Sequence, residues 1–231
     1  MNDKNEDLRA RRSVMTGVGI AVAGLAVGAT SACAQTPARA SGFQPVRHQL
    51  DAWLDDLPGN HRVFIDTSTP RGGAEALVYA FNLDNARQSA YAGQPADFAM
   101  VVCLRHFSTP FAYNDAMWAK YGEVFHSIMQ MPDPSTGNAP RINLMQSASY
   151  GLRLPNAGVT IDQIQALGVQ FVICDAATNF FALQTANATG GNQGAIYEEL
   201  KSNAIPGRFV SAGVMAMTRA QEYGYSLLYA G

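Results

Sequence analysis

The run Gln170–Cys174 (QFVIC) decides the fold of this 231-residue chain. Its apolar residues follow one another without the polar alternation of a half-exposed strand, so both faces of this strand are expected to be covered. Just upstream, Thr160 is a good N-cap for a helix over 161–167, and Gly168 is a good helix stop. A helix that leads into a doubly covered strand is typical of a parallel sheet.

The same alternation continues in both directions from this strand. Further strands are predicted at 63–65, 97–104, 209–210 and 225–229. Further helices are predicted at 72–88, 114–125, 180–185, 194–201 and 213–222. We therefore expect one α/β domain over 60–231, with about five strands in a mainly parallel sheet and helices on both of its faces.

Polar residues follow some of these strands at the edge where ligands usually bind. In such sheets this edge lies beyond the carboxyl ends of the strands, which selects the loops 66–72, 105–114 and 174–179. Arg105 and His106 directly follow a strand and are candidates for anion binding and proton transfer. The alternatives are a simple ion pair for Arg105 and a hydrogen-bonded loop histidine for His106.

Several short motifs resemble the DsrE/DsrF-like family. The sequence LGV at 167–169, followed by FVIC at 171–174, resembles the cysteine-ending strand of that family. The stretch 97–106 resembles an earlier strand that ends in a polar loop. The last helix and strand are matched by IP at 205–206, SAGV at 211–214 and AQEYGY at 220–225.

This resemblance implies a DsrE-like fold of five strands, homo-oligomers that are usually trimers or hexamers, and, in several members, a cysteine that carries sulfur as a persulfide. The matching residue is Cys174. Many members have an Arg-Gly pair a few residues after the cysteine, whereas this chain reads DAATNF at 175–180. The fold is therefore expected to carry over more readily than the chemistry.

Cys174 is the predicted catalytic residue because it ends a buried strand at the ligand edge. A nearby helix N-terminus favours the nucleophilic thiolate, although the neighbouring Asp175 would oppose it. The alternative is a small apolar cysteine in the core. Cys103 is expected to be core, and a Cys103–Cys174 disulfide stays open because the sequence does not show the separation of the two Cα atoms.

The predicted substrate-binding residues are Arg105, His106, Tyr113 and Asn179. Tyr113 belongs to a dense aromatic group that forms either a pocket wall or packing for an interface. Residues 127–159 form an insertion rich in Pro, Gly, Asn and Ser between two helices. Long connections of this kind are often functional, and the hypothesis is that 143–153 covers the ligand edge.

The N-terminal 34 residues are typical of a signal peptide. Arg11-Arg12 precedes a short apolar stretch rich in glycine, and Ala32-Cys33-Ala34 supplies small residues for cleavage. The pattern resembles a twin-arginine export signal, which implies a periplasmic or secreted protein. An ordinary secretory signal and lipid attachment at Cys33 remain alternatives. Residues 35–59 are predicted to be a linker and N-terminal extension.

Composition excludes several classes of function. A net charge of −2 offers no basic surplus for a nucleic-acid backbone. The four histidines are scattered, and no Cys-x-x-Cys-His motif is present, so no metal and no cofactor are predicted. The apolar stretch in the signal is too short to span a bilayer, so no stable membrane insertion is expected.

Three readings of the function remain in view. The first is an exported DsrE-like protein that carries a persulfide, or handles a small thiol, through Cys174; its partners would be small sulfur species or another protein. The second is a non-catalytic oligomeric module that binds a ligand or a partner, with Cys174 as core. A redox protein with a cofactor is a third reading, suggested by the export route alone.

Overall fold

The computed structural model describes residues 44–92 and 98–231 of the chain. Its sheet has five strands, all parallel, in the order β4-β3-β2-β1-β5. The strands are β1 (His61–Thr67), β2 (Phe98–Leu104), β3 (Gln170–Cys174), β4 (Arg208–Val210) and β5 (Ser226–Ala230). The predicted α/β fold with a parallel sheet is confirmed. The predicted signal peptide, Cys33 and Asp97 lie outside the described residues.

Helices connect the strands and cover both faces of the sheet. They are α1 (Trp53–Asp56), α2 (Pro70–Ala90), α3 (Asp115–Met129), α4 (Ile161–Ala166), α5 (Asp175–Thr189), α6 (Gln193–Ser202) and α7 (Gly213–Glu222). The helices from α2 to α6 contribute to the larger core, on one face. Helices α1 and α7 contribute Leu54, Ala216 and Ala220 to a smaller core on the other face. Because strand side chains alternate, Cys103 and Val172 point into this smaller core.

Helix α5 begins five residues earlier than the sequence pattern predicts. It starts at Asp175, directly after β3, because the side chain of Cys174 caps it by accepting a hydrogen bond from the N–H of Ala177. Cysteine is outside the usual set of N-cap residues, which explains why the pattern placed the start at Phe180. The strand and the helix therefore meet at the sulfur of Cys174.

The insertion is packed onto the loop that follows β2. After α3, residues 130–160 contain two short 3₁₀ segments, Leu144–Gln146 and Ala148–Arg153. The amide of Asn143 donates to the carbonyl oxygens of Phe111 and Tyr113, at 2.7 and 2.8 Å, and its backbone N–H donates to Asp115. The insertion thus supports the edge of the sheet where ligands are expected, from the side of the larger core.

The domain includes residues that precede β1. Leu54 is fully buried, and its carbonyl oxygen accepts hydrogen bonds from Tyr225 at 2.8 Å and Arg62 at 3.0 Å. Part of the predicted extension 35–59 therefore belongs to the smaller core. No helix in the described part of the chain is both long and apolar enough to cross a bilayer.

Candidate functional site

The sulfur of Cys174 lies between the N-termini of two helices. It accepts hydrogen bonds from the N–H of Ala177 in α5, at 3.4 Å, and from the N–H of Gly213 in α7, at 3.3 Å. The first N–H groups of a helix are unpaired and carry partial positive charge, so they stabilise a neighbouring anion. The two donors therefore come from the first turns of two different helices and converge on this one sulfur.

The topology of the sheet explains why two helices begin at this point. Helix α5 leaves β3 toward the larger core, whereas α7 leaves the adjacent β4 toward the smaller core. Adjacent strands whose helices turn to opposite faces leave a crevice at their carboxyl ends, which is the usual ligand site of open α/β sheets. Cys174 ends one of these two strands, and Gly213 lies just beyond the end of the other.

A cavity of about 350 Å³ occupies this crevice. Cys174, Arg105 and His106 supply its reactive and charged side chains. The rest of its wall is apolar, formed by Phe180, Val214 and the small residues in the first turns of α5 and α7. The structure therefore brings together three of the five predicted site residues, around one nucleophilic atom.

Arg105 is held in place by Asp66, a residue that the sequence reasoning missed. The guanidinium donates from Nε to Oδ1 and from Nη2 to Oδ2 of the carboxylate, both at 2.7 Å. The Asp66 side chain is 1% exposed, and that of Arg105 is 17% exposed. The hydrogen bond to Asp66 raises the pKa of Arg105. Asp66 is the penultimate residue of β1. The rule that selected the loop 66–72 therefore included Asp66 but gave it no role.

A buried hydroxyl pair organises the loop that carries Arg105 and His106. The hydroxyls of Thr67 and Ser108 are 2.7 Å apart, and Thr67 also donates to the carbonyl of Cys103 at 2.7 Å. Ser108 accepts from the N–H of Arg105 and donates back to its carbonyl oxygen. These bonds fix the turn in which His106 adopts a left-handed conformation, with φ of +55°.

His106 is an exposed member of the site. Its ring packs on Phe107 with the centroids 4.0 Å apart. Partial burial and the positive charge of Arg105 lower the pKa of His106. The imidazole is therefore neutral over a wider range of pH than an ordinary histidine, and a neutral imidazole can accept a proton.

Gly213 allows α7 to approach the site closely. A Cβ atom at this position would lie 2.6 Å from Cβ of Arg105 and 3.0 Å from Sγ of Cys103. Contacts this short exclude a side chain without a shift of the helix. The absence of a side chain at Gly213 thus places its N–H at the sulfur of Cys174.

The two described cysteines are both unbridged thiols. Cys103 pairs in register with Val172, so Cys174 is its diagonal neighbour on the same face of the sheet. Diagonal neighbours lie about 7–8 Å apart, at or beyond the span that a disulfide accepts without backbone movement. Burial, together with the charges of Asp66 and Cys174, raises the pKa of Cys103. Cys103 is therefore a core thiol.

The carboxylate of Asp175 contacts α6 rather than the cavity. Its carboxylate accepts a hydrogen bond from Tyr197 at 2.7 Å and pairs with Lys201 at 3.4 Å. Both partners belong to α6. The opposing influence expected from this neighbour of Cys174 is therefore offset by a cation.

The other two predicted residues lie outside the cavity. Tyr113 is fully buried and donates from its hydroxyl to Thr178 at 3.0 Å, so it links the loop after β2 to α5. Asn179 is exposed and accepts from the side chain of Gln193 at 2.8 Å. None of the residues 143–153 lines the cavity, although Asn143 contacts the loop beside it.

Two larger cavities lie at the amino ends of the strands. One, of about 670 Å³, is lined by Phe171 and Arg208, and the other, of about 640 Å³, by His61 and Arg87. Neither is lined by a cysteine. Within residues 44–92 and 98–231, no group of three or more His, Cys, Asp or Glu side chains is arranged to hold a metal ion. Of these three cavities, the one at Cys174 is therefore the one that combines a thiol with an arginine and a histidine.

Comparison with known proteins adds no relative: no family model, no curated protein and no solved structure matches the chain. The fold and the site define the class of protein. The chain is an α/β protein with a thiol at the carboxyl edge of its parallel sheet, next to an arginine that is held by Asp66.

Proposed function

We propose that this protein accepts sulfur on Cys174 and carries it as a persulfide. One observation carries the proposal: Cys174 lines a cavity, and its sulfur accepts hydrogen bonds from two helix N-termini. A thiolate is the nucleophilic form of cysteine, and backbone N–H donors stabilise it. The motifs that resemble DsrE/DsrF-like proteins support the same function.

The transfer needs no cofactor. The Cys174 thiolate attacks the outer sulfur of a persulfide R–S–SH, a new S–S bond forms, and the old one breaks with its electron pair leaving on R–S⁻. Cys174 then bears S–SH, whose added sulfur has room in the cavity of about 350 Å³. Arg105 and His106 line the same space, and the exposed imidazole of His106 can exchange protons there.

The compartment and the assembly belong to the proposal as well. The paired arginines and the glycine-rich apolar stretch favour twin-arginine export to the periplasm or the exterior, and these residues lie outside the described part of the chain. The DsrE-like motifs favour a trimer or hexamer. A homo-oligomer would cover exposed apolar side chains such as Met215, which is 57% exposed and does not line the Cys174 cavity.

The test is sulfur loading followed by intact mass. The reduced protein is incubated with inorganic polysulfide, desalted and weighed, and a gain of about 32 Da is expected. Cys174→Ser should show no gain, whereas Cys103→Ser should behave like the wild type. A wild-type protein that gains no mass while its Cys174 thiol is free would exclude a sulfur carrier.

The second candidate is a non-catalytic oligomeric binding module, favoured by the low exposure of Cys174, which is 6%. In that case the exposed apolar side chains Phe180 and Val214 at the cavity would bind a partner. The thiol of Cys174 would serve only as the cap of α5. Reaction with a thiol reagent separates the two. Cys174 that stays unmodified in the folded protein but reacts after unfolding favours the module.

A further inference from the structure

Two buried hydroxyl groups connect the loop after β2 to the backbone of Cys174. The hydroxyl of Tyr113 donates to Oγ1 of Thr178 at 3.0 Å, and Oγ1 of Thr178 donates to the carbonyl oxygen of Cys174, also at 3.0 Å. Tyr113 and Thr178 are both fully buried. Because Cys174 is the N-cap residue of α5, the two hydroxyls hold the backbone at the beginning of that helix.

The direction of these two hydrogen bonds is fixed by the groups at their ends. Burial raises the pKa of Tyr113, so its hydroxyl keeps its proton and can donate. A carbonyl oxygen can only accept, so the hydroxyl of Thr178 donates to Cys174 and accepts from Tyr113. Successive hydrogen bonds of this kind strengthen one another in a buried environment. The two hydroxyls therefore act as one unit rather than as two independent contacts.

Tyr113 is itself held by three other parts of the domain. Its carbonyl oxygen accepts a hydrogen bond from the side chain of Asn143, in the insertion, at 2.8 Å. Its ring packs on that of Phe125 in α3, with the centroids 5.8 Å apart. Its backbone forms an antiparallel bridge with Ala204, in the segment that leads to β4. The hydroxyl that reaches α5 therefore belongs to a residue whose backbone and ring are both fixed.

The first turn of α5 also carries one of the two donors to the sulfur. The N–H of Ala177 lies 3.4 Å from Sγ of Cys174, and Ala177 directly precedes Thr178. Because the two residues are neighbours in one helical turn, anchoring Thr178 limits the movement of this N–H. The carbonyl and the sulfur of Cys174 are thus both tied to the same turn.

We propose that Tyr113 and Thr178 are positioning residues for the thiol of Cys174. The proposal rests on the persulfide function, and neither residue lines the cavity in which the sulfur donor would bind. Tyr113 holds Thr178, and Thr178 holds Cys174, so the sulfur keeps one orientation toward the cavity. A nucleophile that is already oriented loses less freedom when it attacks. Sulfur should therefore load faster onto Cys174 when both hydroxyls are present.

Tyr113→Phe removes the first hydroxyl and keeps the buried ring. The rate constant for loading of Cys174 from inorganic polysulfide, followed by intact mass, should fall about three- to tenfold, which corresponds to one lost hydrogen bond. Tyr121→Phe is the matched control, because its hydroxyl donates to Glu199 at 2.6 Å and neither of these residues lines the cavity. The control should load within about twofold of the wild type.

Thr178→Val and Thr178→Ser separate positioning from packing. Valine has nearly the volume of threonine but no hydroxyl, so Thr178→Val should slow loading at least as much as Tyr113→Phe. Serine keeps the hydroxyl, so Thr178→Ser should restore loading to within about twofold of the wild type. The double variant Tyr113→Phe/Thr178→Val should be no slower than Thr178→Val alone, because the two hydroxyls act as one unit.

Amide hydrogen exchange, followed by NMR, reports the same positioning without a sulfur donor. The N–H of Ala177 should exchange at least about fivefold faster in Tyr113→Phe than in the wild type, since the first turn of α5 opens more often. Tyr121→Phe should leave the exchange of this N–H unchanged.

The outcomes separate this proposal from the function on which it rests. Unchanged loading in Tyr113→Phe and Thr178→Val, or an equal fall in Tyr121→Phe, would overturn the positioning role and leave the persulfide function standing. A wild type that gains no sulfur on a free Cys174 thiol would overturn the persulfide function. Exchange at Ala177 that is unchanged in Tyr113→Phe would overturn the positioning role in either case.

Discussion

The backbone N–H of Gly213 lies 3.3 Å from the sulfur of Cys174, although the two residues are 39 positions apart in the chain. This contact joins the beginning of α7 to the end of β3 at the crevice between two strands. It exists because Gly213 has no side chain and can pack directly on Arg105 and Cys103. The reactivity that we propose for Cys174 depends on it.

Gly213→Ala should therefore weaken the site and the fold together. The added methyl group overlaps Arg105 and pushes α7 outward, which we expect to cost about 1–3 kcal/mol in the free energy of unfolding. The outward shift of α7 should also move the N–H of residue 213 away from the sulfur and slow alkylation of Cys174 by iodoacetamide. Gly194→Ala, in the first turn of α6, is the control because its new Cβ would meet only a side-chain oxygen of Asn192, at 3.3 Å. An unchanged alkylation rate in Gly213→Ala would show that this donor does not activate the thiol.

Asp66→Asn should destabilise the protein strongly. The substitution leaves the guanidinium of Arg105 without its buried carboxylate, and broken buried pairs cost about 3–5 kcal/mol in the free energy of unfolding. Urea denaturation measures the loss. Glu75→Gln breaks the Arg71–Glu75 pair, in which Arg71 is 74% exposed, and should change stability by less than about 1 kcal/mol. Equal effects for the two variants would contradict the importance of burial at Asp66.

His106 should make stability depend on pH in a defined direction. Its pKa is lowered in the folded state, so the unfolded chain binds the proton more readily. Stability is then lost as pH falls through the ordinary histidine value of about 6.5, and the loss ends below the folded pKa. His106→Asn, which tolerates the left-handed backbone, should remove this component from thermal melts measured across that range. A wild-type imidazole that titrates above 6.5 by NMR would contradict the prediction.

Cys103 and Cys174 should stay unbridged under mild oxidation, because the strand register makes them diagonal neighbours. After treatment with diamide, denaturation and alkylation, peptide mapping should find both thiols alkylated. In the folded protein Cys103 should resist alkylation, since it is fully buried and its pKa is raised. A crosslinked peptide that contains both cysteines would show that the strands move enough to form the disulfide.

The strands of the sheet could be predicted from the sequence because they are formed by uninterrupted apolar runs. The run that ends at Cys174 and the run that ends at Leu104 became adjacent parallel strands. The rule about carboxyl ends then placed Arg105, His106 and Cys174 together. The strands were predicted from local sequence patterns. The site was predicted from one rule, that ligands bind at the carboxyl ends of parallel strands. Neither step requires knowing which distant residues are in contact.

The parts that were missed depend on contacts between distant residues. Asp66 reaches Arg105 only after β1 and β2 have paired, and nothing in its neighbourhood distinguishes it from a turn residue. Tyr113 is aromatic and follows the right strand, but its ring points into the core toward Thr178. The role of Gly213 follows from the order of β3 and β4 in the sheet, which the apolar pattern does not specify.

The central claim is that Cys174 accepts and holds a sulfur atom. The most direct measurement is peptide mapping of the folded wild-type protein after incubation with polysulfide and trapping with iodoacetamide. The account predicts that the peptide containing Cys174 carries an alkylated persulfide, heavier by about 32 Da than the alkylated thiol, while the Cys103 peptide carries none. A Cys174 peptide recovered only as the simple alkylated thiol would contradict the account.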